Sequence, residues 1–66
     1  MKITVDEING VIHRRNLYIV NGCLTRRVIS CHIYDSQVCV IDLYTKQRYP
    51  LQGNRFMDGY GQEVVI

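Results

Sequence analysis

Along most of the chain, apolar and polar residues alternate with the period of two that marks half-buried strands, broken by short clusters of turn-forming residues. Ile3 and Val5 give residues 1–8 the look of a first strand, and Asn9-Gly10 reads as the hairpin turn that follows it. A second strand over 11–20 meets another Asn-Gly at Asn21-Gly22, which leads into a third over 23–34. The cleanest alternation sets Ile29, Cys31 and Ile33 against Ser30, His32 and Tyr34. It resumes after Asp35-Ser36-Gln37 with Cys39, Ile41 and Leu43. A three-residue loop there would put both apolar triplets on one face, because a slip of one residue inverts every side chain. The same parity at Thr45-Lys46-Gln47 would set Tyr49 and Leu51 beside Leu43 and Ile41. Pro50 donates no ladder hydrogen bond, so its strand belongs at an edge. Residues 52–62, with Gly53, Asn54, Asp58, Gly59 and Gly61, read as a loop with room for a 3₁₀ turn, and 63–66 as a closing strand. The pattern predicts an all-β fold: a small antiparallel meander of five or six strands, an SH3-like barrel or a strongly bent sheet. Leu24, Val28 and Cys31 also fall at helical spacing, which leaves a short helix there as the rival reading.

Size narrows the picture. The 66 residues make one small domain, 1–66, and a chain of this length buries only about 60% of its unfolded surface. Self-association through the C-terminal strand is therefore an expected source of extra stability. Three cysteines, Cys23, Cys31 and Cys39, are an odd count that suits reduced, buried thiols better than a disulfide scaffold. No apolar run approaches the length of a membrane span, and the acidic, alternating start is unlike a signal peptide. These features predict a cytoplasmic protein without membrane contact.

Charge adds the one functional signal. Net charge is only +2, yet no acidic residue stands between Glu7 and Asp35, while Arg14, Arg15, Arg26 and Arg27 all do. A two-residue turn at Asn21-Gly22 would oppose Val20 to Cys23, Leu17 to Arg26 and Asn16 to Arg27, gathering both arginine pairs midway along one ribbon. Neighbouring arginines on a flat strand point to opposite faces, so a β-bulge or a hairpin wet on both sides is needed to expose them together. Guanidinium forks match phosphate and carboxylate, and Tyr18 on the same ribbon would offer a stacking surface. Four such charges also solubilise an exposed ribbon and protect its edges.

Other chemistry is poorly supported. The cysteines and histidines lack the close pairs of zinc sites. Cys31 and Cys39 read instead as adjacent core thiols. His13 and His32 have no nucleophile at recognisable spacing, Asp6, Glu7 and Asp42 are scattered, and the core is too small to enclose a substrate pocket. The expectation is a protein that is not an enzyme and needs neither cofactor nor metal.

Residues 28–34, Asp35, 38–42, Arg48-Tyr49-Pro50 and Asn54-Arg55-Phe56 together resemble the layout of small SH3-like proteins encoded by lambdoid phages and prophages. That resemblance implies the fold and a phage-type origin, and most such proteins have no known activity. Two functions follow as expectations. The first is a regulatory module that contacts DNA or RNA backbone through Arg14, Arg15, Tyr18, Arg26 and Arg27. The second is a modulator of a host protein, acting through an edge strand or an arginine–tyrosine patch. Tyr44, Tyr49, Phe56, Met57 and Tyr60 form a further candidate patch, in which Phe56 is better suited to plugging the core.

Overall fold

A computed structural model describes residues 4–66. Its order is α1 (Val5–Arg15), β1 (Tyr18–Asn21), β2 (Leu24–Tyr34), β3 (Gln37–Asp42), β4 (Arg48–Pro50), β5 (Arg55–Met57) and β6 (Glu63–Val64). The strands form one antiparallel sheet in the order β4-β3-β2-β1-β5-β6, so β4 and β6 are open edges and the sheet does not close into a barrel. This is a small, mostly β fold with one short helix.

The helix replaces the first hairpin. Of the strand expected over 1–8, residues 1–3 lie outside the described residues, Thr4 is the extended cap of the helix, and Val5 to Ile8 are helical. Thr4 and Glu7 form a capping box: Thr4 Oγ1 accepts from the Glu7 N–H at 3.2 Å, and the Glu7 carboxylate receives the Thr4 N–H at 3.4 Å. Asp6 and Glu7 occupy the first turn and His13, Arg14 and Arg15 the last, complementing the helix dipole. Ile8 and Ile12, four apart, bury one stripe against β2.

Asn9 explains why the turn signal fails here. Its Oδ1 accepts from the Cys31 N–H at 2.8 Å and its Nδ2 donates to the Cys31 carbonyl at 3.1 Å. Beyond Arg27 strand β2 has lost its β1 partner, and this side-chain amide supplies the hydrogen bonds that a strand would.

The second Asn-Gly does reverse the chain, one residue later than expected. Asn21 pairs with Leu24, Val20 with Thr25, Ile19 with Arg26 and Tyr18 with Arg27, leaving Gly22 (φ 62°) and Cys23 as the two-residue loop. A glycine with positive φ at the first central position is the type II′ hairpin solution.

At the β2–β3 turn the loop has two residues instead of three. Tyr34 pairs with Gln37, and Asp35 and Ser36 both take positive φ (48° and 64°), as a type I′ turn requires. The parity change assigned to that loop is made by a β-bulge: Val28 pairs with Asp42 but Ser30 with Ile41, so Ile29 is the extra residue. Val28 and Cys31 both reach the core while Ile29 and Ile33 stay exposed. The bulge is also why Val28 and Cys31 mimic helical spacing on a strand.

Two further registers differ from expectation. Tyr49 pairs with Val40 and Arg48 with Ile41, because residues 43–47 form a longer loop folded around Asp42. Residues 52–62 are not all loop, since β5 bridges β1 to β6. Pro50 does lie on an edge strand, and Phe56 is buried as the core plug. The core gathers Ile8, Ile12, Leu17, Ile19, Val28, Cys31, Val40, Phe56 and Val64.

Candidate functional site

The four arginines take three different environments. Arg14 and Arg15 end α1 instead of lying on a strand, so the cationic ribbon expected from residues 11–27 does not form. Arg26 shares the core-facing side of the sheet with its partner Ile19, and its Nε lies 3.5 Å from the Asp42 carboxylate. It is an internal counter-ion. Arg27 points the other way, and its Nη2 donates to Asn16 Oδ1 at 2.9 Å.

Asn16 is therefore the junction. It caps α1 in the left-handed conformation (φ 51°), a shape asparagine tolerates, and its backbone N–H bonds the Ile12 carbonyl. The helix end thus sits beside Arg27, and Arg14, Arg15 and Arg27 flank one residue. Among the described residues none of the three has a carboxylate within ion-pair distance, whereas Arg26 is paired with Asp42 and Arg55 with Glu63.

On the other side of Asn16 lies a polar cleft of about 340 Å³, lined by Arg14, Arg15, Asn16, Asp58, Tyr60 and Gln62. Its far wall is the loop between β5 and β6. Asp58 Oδ1 accepts from the N–H groups of Tyr60 (2.8 Å) and Gln62 (2.9 Å), and the Gly59 N–H bonds the Arg15 carbonyl at 3.1 Å. Gly61 turns the chain at φ 82°. The loop is held by its own hydrogen bonds and tied to the helix end, yet it leaves Tyr60 93% exposed.

Tyr18 serves this site less well than the sequence suggests. It is half-buried in β1, between Arg27 and Met57 on the face away from α1. Tyr60, grouped by sequence with the other aromatics of the second half, is the ring that reaches the basic cleft. Sequence spacing held no sign of this, because 44 positions separate Tyr60 from Asn16 and a hydrogen bond between backbones joins their neighbourhoods.

Asp42 is the strongest electrostatic feature. Burial raises its carboxyl pKa, but the Tyr44 and Thr45 N–H groups and the charge of Arg26 outweigh burial and hold it below the ordinary 3.8. Cys31 is pushed above its ordinary 9.0 by burial and, to a smaller extent, by neighbouring Cys39, so it is a poor nucleophile. Both thiols are buried, but Cys31 pairs with Val40 and Cys39 with His32, which puts them on opposite faces rather than side by side in the core. Ser30 Oγ contacts His32 Nε2 at 2.8 Å, an arrangement that period-two spacing allows. That contact is exposed, and no carboxylate backs the imidazole among the described residues.

Among the described residues no three His, Cys, Asp or Glu side chains gather as a metal site would need, and no helix is long and apolar enough to cross a membrane. No protein-family model matches the chain, and no curated protein or solved structure is found to be similar to it.

Proposed function

We propose that the chain is a non-enzymatic binding module that contacts nucleic-acid backbone through Arg14, Arg15 and Arg27. The observation that carries this reading is the placement of three arginines around the end of α1, Arg14 and Arg15 in its last turn and Arg27 bonded to Asn16, none with a carboxylate partner among the described residues. Arginine forks suit phosphate oxygens, and Asn16 pre-orients one of them. Arg26 leaves the binding set, since its charge faces Asp42.

Salt dependence tests this. Three phosphate contacts predict a log–log slope of affinity against salt of about −2 to −3. Alanine at Arg14, Arg15 and Arg27 together should flatten the slope while circular dichroism shows the fold retained. An affinity indifferent to ionic strength would count against the reading.

A protein partner is the second reading, favoured by the open edge of β6 and the exposed Val65 beside it. Capture from nuclease-treated lysate separates the two: a partner that survives nuclease supports strand addition, and one lost with the nucleic acid supports phosphate contact.

A further inference from the structure

We infer that the cleft between the end of α1 and the 58–62 loop receives an unpaired nucleotide, so that the protein prefers single-stranded nucleic acid to duplex. This rests on the phosphate-binding reading above and names the form of its ligand.

Three features converge on that ligand. Arg14 and Arg15 line one side of the cleft, where they would meet phosphate, and Tyr60 lines the other with its ring almost wholly in solvent. An aromatic side chain is normally drawn into the core or against a neighbour; Tyr34 and Tyr49 of this chain are only partly exposed, Arg48 stacks over Tyr34, and Tyr44, exposed to 76%, lies away from the cleft residues. Tyr60 is instead displayed by a loop that Asp58 and the Gly59–Arg15 hydrogen bond have already ordered. The loop backbone that carries the ring therefore needs little further ordering on binding.

Two arginines from the end of α1 and an exposed tyrosine from the 58–62 loop, lining one cleft, match a nucleotide whose base can leave its stack. Phosphate lies against Arg14 and Arg15 and the base against Tyr60, with the Gln62 amide at hand for a base edge. In a duplex the bases are stacked on each other and cannot reach a ring across a cleft of about 340 Å³. Asp58 also lines the cleft and its carboxylate disfavours phosphate on the loop side, which leaves phosphate to the arginine side and the loop side to the base.

The experiment compares binding of oligo-U RNA, oligo-dT DNA and a mixed-sequence duplex, each about 12 nucleotides long, to the wild type and to Tyr60→Ala, Tyr60→Phe and Arg14→Ala/Arg15→Ala. The expected result is tighter binding of one or both single strands than of duplex. Tyr60→Ala should weaken single-strand binding roughly 5- to 100-fold with an unchanged salt slope. Tyr60→Phe should restore most of it, and the arginine double variant should flatten the slope. A preference for RNA over DNA would assign the ribose hydroxyl a part in recognition, and equal binding would confine recognition to phosphate and base. Tyr60 is exposed, so loss of fold does not confuse the result. If duplex binds as well as single strand and Tyr60→Ala changes nothing, the cleft inference is overturned while the phosphate reading stands. If none of the three binds, the phosphate reading itself fails.

Discussion

Two aspartates do the same job at two places in this molecule. Asp42, after β3, receives the N–H groups of Tyr44 and Thr45, and Asp58, after β5, receives those of Tyr60 and Gln62. Each side chain closes a loop that reverses at a residue with positive φ, Lys46 in one and Gly61 in the other. Asp42 is also fully buried, and Arg26 faces the carboxylate oxygen that the backbone leaves free. Its folded-state pKa is depressed, so its contribution to stability is present above the unfolded value and is lost as pH falls through the folded one. Acid titration of the unfolding free energy should therefore show a loss beginning below the ordinary carboxyl value of 3.8, and Asp42→Asn should remove that part of the slope. An unchanged acid profile in the variant would show that Asp42 is not the group responsible. Asn9 makes a second residue-scale prediction. Asn9→Ala strands the N–H and carbonyl of Cys31, and urea unfolding should register a loss of roughly 1–3 kcal/mol.

At the scale of elements, the two Asn-Gly pairs show how context overrides a local signal. Both dipeptides are suited to a type I′ turn, but only Asn21-Gly22 is followed at once by residues that pair back, while Asn9-Gly10 sits inside a capped helix. Thr4, Glu7, the i/i+4 pair Ile8 and Ile12, and the basic last turn are helix signals in the sequence, and together they outweigh the turn preference of Asn9-Gly10. Substitution separates the two directly. Gly10 has no positive φ, and a Cβ there meets only Arg14 Nη1, at 2.8 Å, which is the movable end of a long side chain. Gly10→Ala should therefore stabilise the protein by about 0.5–1 kcal/mol, as alanine does inside a helix. A hairpin turn at this position would make the same change destabilising. Gly22→Ala should act in the opposite sense despite open space around it, because its φ of 62° strains any side-chain-bearing residue.

Taken whole, the molecule keeps the class of fold that its alternating pattern implies and changes the wiring. The edge position of Pro50, the buried Phe56 and the closing strand β6 follow from local chemistry, and the reversal after Asn21 follows from it because the flanking residues pair back. The bulge at Ile29 could not be read, because one extra residue leaves the alternation looking intact while moving Ile33 from core to solvent. The basic site was legible in part. Arg14, Arg15 and Arg27 do come together, but around a helix cap rather than along a ribbon, and Arg26 is diverted by an aspartate 16 residues away. Tyr60 joins them only through the tertiary position of its loop.

The most direct test of phosphate contact at this helix end is an NMR titration of the labelled protein with a single-stranded oligonucleotide, following backbone amides and arginine Nε–H signals. Shifts should concentrate at Arg14, Arg15, Asn16, Arg27 and the 58–62 loop, with Arg26 and Arg55 little moved. Saturable shifts confined to β4 and the 43–47 loop, with the helix end silent, would contradict it.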